Sequence, residues 1–213
     1  MKLMDLLETP VLNPAEMPIN MHPHRPFISV DTIDREYRII AKEKTLTGEE
    51  YFVILRKHND QAVIGIPGFR ETDKKPGIEV MGTVAFKHSV QLSGKQTFNL
   101  NTNVLQVEGI RIGDKAKHQG WGFYLYLTLA KCGYVVISDN NQYIGGKELW
   151  KKIARNVINS NYKVYVIDSG AVRVDTAGRP VTYDGHNIDD AELWSINRSR
   201  RYTLFALRSE IGL

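Results

Sequence analysis

The stretch LQVEGIRIGDKAKHQGWGFYLYLTLAKCGYVVISD, residues 105–139, changes its period twice, and those changes decide the fold. Val104 to Ile112 reads as a strand, and a polar, basic loop follows it. Gly120 and Gly122, spaced by one residue, then open a helix that runs to Lys131 and ends at Cys132-Gly133, where glycine suits a helix C-terminus. Tyr134 to Ser138 reads as a short buried strand. The loop has the makings of an anion site. The first turn of a helix carries unsatisfied N–H groups and the positive end of the dipole. Glycine lets the backbone approach a phosphate with no side chain in the way, and Lys115, Lys117 and His118 stand beside it. Turn geometry alone also explains two glycines before a helix. No Gly-Lys-Ser/Thr follows, so this is not a Walker A loop. Nor is it a dinucleotide fingerprint: Asp139 lies near the required distance, but Phe123 and Tyr124 crowd the place of the small residue.

Outward from this segment the chain reads as mixed α/β. Residues 1–25 form a Pro-rich arm, broken by Pro10, Pro14, Pro18 and Pro23, ahead of a single domain spanning 26–213. Pro26 to Gly113 gives strand signals: Tyr37–Lys42, Tyr51–Lys57, and Ala62–Ile66 across a turn at His58-Asn59-Asp60. Ile78, Val80, Val84 and Phe86 alternate with polar or smaller residues, as on a half-buried strand. Downstream, a helix is expected over Gly145–Asn156, a strand over Tyr162–Ile167, a short helix capped by Asp189 or Asp190, and a last strand over Tyr202–Leu207. The expected order is several antiparallel-type strands, then β-α-β-α-β, then a strand.

Composition narrows the classes. The 213 residues are 42% hydrophobic and 24% charged, too apolar for a disordered chain and long enough for one sizeable core. No apolar run approaches the roughly 18–20 residues that span a bilayer, and the acidic start MKLMDLLETP carries no export signal. One cysteine, Cys132, forbids an intrachain disulfide and a multi-cysteine zinc site, so no metal is expected and the cytoplasm fits best. The net charge of +4 is scattered apart from Lys115–His118 and the Arg198, Arg200, Arg201 run, which disfavours a nucleic-acid partner.

Lys117-His118-Gln119-Gly120-Trp121-Gly122 resembles the Arg/Gln-x-x-Gly-x-Gly/Ala loop of the GNAT acyltransferases, with lysine in first place. The segment VVISDNNQYIGGKELWKKIAR resembles the Ser-Asp-x-x-Gln-x-x-Gly-Gly-x-x-x-Trp-x-x-Leu pattern of phage and bacterial members, with Ile153 in the last place. The likeness is best over residues 100–167. The resemblance implies a GNAT-like mixed, splayed sheet flanked by helices. It also implies an enzyme that moves an acetyl group from acetyl-CoA, or another acyl-CoA, directly to a primary amine of a small molecule, peptide or protein. The pyrophosphate would lie on the backbone of Lys117, His118, Gln119, Gly120, Trp121, Gly122 and Phe123. The pantetheine arm would pair with the strand at Ile110, Arg111 and Ile112, in a V-shaped opening beside strand 134–138. Asn141 and Trp150 complete the implied cofactor contacts.

Glu108 is the candidate base by the same resemblance, the alternative being a solvent-facing position shared with Gln106. The family's usual general acid is a tyrosine, whose place Trp150 takes here; Tyr143 is the nearest substitute in sequence. The family also inserts two helices after its first strand, and residues 43–50 are too few for them, so the arm 1–25 or the loop Arg70–Pro76 stands in. These departures motivate the alternative of a catalytically silent GNAT-like module that inhibits a partner protein, in the manner of phage host-takeover proteins acting in the host cytoplasm. A homodimer is compatible with either reading. His22 and His24 read as surface residues, and Cys132 as a core residue.

Overall fold

A computed structural model of the chain describes residues 26–87, 103–139, 144–168, 170–194 and 204–210. Among these are ten strands and four helices, a strand-rich mixed α/β chain. The described residues fall into two compact units, 26–87 with 107–132 and 103–106 with 133–210. One strand, β6, contributes to both.

The unit built from 26–87 and 107–132 is an antiparallel sheet in the order β2(Tyr37–Lys44)-β3(Glu50–Arg56)-β4(Gln61–Phe69)-β5(Pro76–Phe86)-β6(Val104–Ile112). Short β1(Phe27–Ser29) pairs on β5, and α1(Val30–Glu36) follows it. Here a helix stands where only strand signals were read. Its start has a chemical cause: the Ser29 hydroxyl accepts the Thr32 N–H at 3.4 Å, with Asp31 in the first turn and Arg35 in the last. Ile33 of α1 joins Ile28, Ile54, Val63, Ile78 and Val80 on one face of the sheet. The helix α2(Trp121–Lys131) covers the opposite face, with Trp121 and Thr128 against Tyr51. Because both faces are covered, β3 reads as a nearly unbroken apolar run.

One hairpin turn falls where it was expected. Asn59 adopts φ 58 in the β3–β4 turn, as its place in a His-Asn-Asp cluster suggests. The segment Arg70–Pro76, offered above as a stand-in for the acceptor helices, is a hairpin connection. It closes the β4–β5 hairpin, with the Arg70 N–H on the Lys75 carbonyl at 2.9 Å and the Lys74 N–H on the Arg70 carbonyl at 2.8 Å. The alternation read along β5 conceals a change of face. The register slips between Ile64/Gly65, so Met81 is an extra residue. Ile78 and Val80 pack on the α1 side, whereas a Cβ on Gly82 would meet Ile112 and Ile64 on the other.

The unit built from 103–106 and 133–210 has the strand order β6-β7(Val135–Ile137)-β10(Leu204–Ser209)-β8(Tyr162–Asp168)-β9(Ala171–Val172). Its β6–β7 pair is parallel, with Val104, Leu105 and Gln106 opposite Val135, Val136 and Ile137; its other ladders are antiparallel. Val135, Ile137, Ile167, Val172 and Ala206 form a core cluster of this unit. The helix α3(Ile144–Val157) buries Trp150, Ile153, Ala154 and Val157, and Trp150 stacks on Phe205 at 5.8 Å. The short α4(Asp190–Leu193) starts as read, the Asp189 carboxylate accepting the Ala191 N–H at 2.8 Å.

Candidate anion-binding loop and bulged strand

The candidate site of the first-described unit grows from β6 and the turn that follows it. Between Ala85 and Phe86 the β5–β6 register slips: Ala85 faces Gly109 and Phe86 faces Val107, leaving Glu108 as the extra residue. A bulge of this kind bends the strand and re-aims its side chain. Glu108 is half-buried there, while Gln106 is fully buried, so the two do not share a solvent face. Ile110 and Ile112 lie opposite Val84 and Gly82, half-buried, and Arg111 is exposed. Residues 107–112 pair with β5 along one edge only among the described residues. In an antiparallel ladder alternate N–H and C=O groups point to the other edge.

Beyond β6 the chain makes one 3-10 turn, Asp114–Ala116, and a tight loop into α2. Two residues of that loop are left-handed, His118 at φ 64 and Gly120 at φ 87. Gly120 is the N-cap of α2 and supplies no side-chain cap bond. The first intrahelical bond is the Tyr124 N–H on the Gly120 carbonyl at 3.1 Å. The N–H groups of Trp121 and Gly122 therefore have no partner from the chain among the described residues. Gly122 is buried and offers backbone alone at that place. This is an uncapped helix start with a positive dipole end, ready for an anion.

The loop's own side chains brace it. Gln119 donates to the Lys115 carbonyl at 2.8 Å and accepts the Trp121 indole N–H at 3.1 Å, so its side chain is a strut. Trp121 is 2% exposed and meets the Tyr51 ring edge-on at 6.0 Å, so its indole is packed against β3. Lys117 reaches Asp114 at 2.7 Å, an exposed pair of little energetic weight, and His118 is exposed. Phe123 is half-buried with its ring 5.6 Å from that of Tyr124.

What holds α2 in place was not read from the sequence. The Tyr51 hydroxyl sits 3.1 Å from Thr128 and donates to Glu43 at 3.3 Å, while Lys131 pairs with Glu43. The Leu46 N–H donates to the Tyr124 hydroxyl at 3.2 Å. Burial pushes the Tyr51 phenol up to about 12, and Glu43 adds to that. The clue in the sequence was a hydroxyl-bearing residue in an otherwise apolar run, Tyr51-Phe52-Val53-Ile54-Leu55.

The remaining candidates separate from this loop. Trp150 is 2% exposed and stacked on Phe205, so its indole is a core element. Cys132 donates its thiol to the Ile40 carbonyl at 3.4 Å, and burial raises its pKa, which suits an inert residue. Tyr143, Asn141, the arm 1–25 with His22 and His24, and Arg198, Arg200 and Arg201 lie outside the described residues. No group of three or more metal-ligating side chains occurs among the described residues, and no described helix is long and apolar enough to cross a membrane. No family model, curated protein or solved structure matches the chain.

Proposed function

We propose that the chain is an acyl-CoA-dependent N-acyltransferase of the GNAT type. The observation that carries this reading is the uncapped α2 start, with left-handed Gly120 and buried Gly122, placed directly behind a bulged β6. Such a start suits a diphosphate on the main chain of residues 117–123. The outer edge of Ile110–Ile112 offers amide groups to an extended pantetheine-like arm. The acyl-CoA supplies an activated thioester. Glu108, re-aimed by the bulge and half-buried, takes the proton from the attacking amine as the C–N bond forms and the C–S bond breaks. The buried indole of Trp150 donates no proton to the leaving thiolate, which leaves Tyr143, or water, for that step.

Calorimetric titration with acetyl-CoA tests the reading, and absence of binding sinks it. Gly122→Val is expected to weaken binding by at least about tenfold, at unchanged fold by circular dichroism, because its side chain would occupy the anion's approach. Unchanged affinity would make the loop only a turn. Glu108→Gln is expected to lower amine acetylation by about 10²–10⁴-fold while leaving acetyl-CoA affinity intact.

A second reading, a silent GNAT-like module that inhibits a partner protein, draws on two features. The β2–β3 connection is a hairpin closed by the Gly48 N–H on the Thr45 carbonyl at 3.0 Å, with no helices to shape an acceptor pocket, and Trp150 is sequestered. It predicts acetyl-CoA binding without turnover on a broad amine panel. Rapid transfer to any amine, lost in Glu108→Gln, dismisses it.

A further inference from the structure

The loop into α2 owes its shape to one side chain. Gln119 stands between the two left-handed residues, His118 at φ 64 and Gly120 at φ 87. A residue with a Cβ enters that region at a cost, so His118 stays there only because its surroundings hold it. The main chain offers little of that hold. The Lys117 N–H reaches the Asp114 carbonyl at 3.4 Å, and the Gln119 N–H reaches the Ala116 carbonyl at the same length. Both bonds are long and weak.

The Gln119 amide supplies the rest from both of its ends. Its NH2 group donates to the Lys115 carbonyl at 2.8 Å, in the 3-10 turn before the loop. Its oxygen accepts the indole N–H of Trp121 at 3.1 Å, the first residue of α2. Only one sense of the amide works, because the reverse sets oxygen against carbonyl and NH2 against indole N–H. Trp121 is fixed in its turn, with its ring 6.0 Å from that of Tyr51 and 6.1 Å from that of Tyr124. The link Lys115–Gln119–Trp121 therefore ties the turn before the loop to the helix after it. The free N–H groups of Trp121 and Gly122 lie at the end of that link.

We infer that Gln119 is a positioning residue for the acyl-CoA diphosphate, acting through Trp121 and the main chain it spaces. The inference rests on the acyl-transfer reading. Both ends of the amide are engaged by the protein, so its effect on a ligand is to hold the loop in the binding shape before the ligand arrives. Affinity gained in this way comes from ordering that need not be repeated on binding. In the loop pattern Gln119 falls on an unspecified position, which is why sequence comparison alone passes over it.

Gln119→Met keeps the length of the side chain and removes both bonds. Calorimetric affinity for acetyl-CoA should fall about three- to tenfold, with the circular dichroism spectrum unchanged. Trp121→Phe keeps a ring against Tyr51 and removes the indole N–H. In that background Gln119→Met should cost less than in the wild type, since one of its bonds is already gone. These binding measurements decide the matter for an active enzyme and a silent module alike. With an amine acceptor, KM for acetyl-CoA should rise by the same factor while kcat holds. S-acetylpantetheine, a donor with no diphosphate, should serve wild type and variant equally, whereas a merely structural defect would lower the use of both donors. If the wild type binds no acetyl-CoA, the acyl-transfer reading falls and this role falls with it. If the wild type binds, three results overturn the role of Gln119 alone: equal affinity in Gln119→Met, full additivity with Trp121→Phe, or a matching loss with S-acetylpantetheine.

Discussion

At the scale of single residues, hydroxyl and carbonyl placement decides more than residue type. Tyr51 sits in an apolar run, yet its phenol links β3 to Thr128 and Glu43. Tyr51→Phe keeps the ring and strands the fully buried Thr128 hydroxyl, so stability should fall by about 1–2 kcal/mol. A lower urea midpoint with an unchanged m-value would register it. Glu108 and Trp150 show how far residue-level reading reaches. Glu108 could be chosen as a candidate from its place on a strand, but its bulge depends on a partner more than twenty residues away. Trp150 belonged to a recognisable segment, but the ring it stacks on, Phe205, lies 55 positions later. Lys151 likewise meets Asp190 across 39 residues, a pairing that local pattern does not contain.

At the scale of elements, boundaries set by local chemistry were legible. The strand Val104–Ile112 ends as read, α2 runs to Lys131 with Gly133 left-handed behind it, and Asp189 caps α4. The helix α1 escaped because its seven residues, VDTIDRE, bury only Ile33 and show no apolar stripe. The bulges at Ile40, Met81 and Glu108 escaped because a register slip belongs to a pair of strands. Gly65 marks one of them. A Cβ there would come within 2.2 Å of the Ile78 side chain and 2.3 Å of the Glu79 carbonyl oxygen. Gly65→Ala should therefore destabilise by about 1–3 kcal/mol, since backbone cannot step aside as a side-chain tip can. Gly68→Ala, with ordinary contacts at 3.6 Å or more, is the control.

At the scale of the molecule, three tyrosines set an alkaline limit. Burial above all pushes Tyr51, Tyr165 and Tyr183 up to about 12; acidic neighbours (Glu43, Glu210 and Asp190) add to it. The charged phenolate is the disfavoured form, so the unfolded chain releases these protons near pH 10 and the folded chain near pH 12. The stability contributed is whole below about pH 10 and is lost as pH rises towards 12. Urea midpoints at pH 8, 10 and 11 should fall in that order, and less steeply in Tyr51→Phe. A flat profile would contradict the burial of these phenols. The mixed α/β class was legible in the change of period along 105–139, because a parallel pair needs a crossover helix and α2 supplies it. The division into two units was not, since no composition break marks it.

The strand β6 serves one unit through Val104–Gln106 and the other through Val107–Ile112, so the chain is woven rather than strung. A break between Cys132 and the exposed Gly133 would leave β7 without its parallel neighbour, which stays on the amino-terminal piece. The amino-terminal piece would keep every described element of its own unit, whereas the carboxyl-terminal piece would lose Val104–Gln106. Produced separately, the first should fold and the second should not, so the order of the strands makes one half of the chain a template for the other.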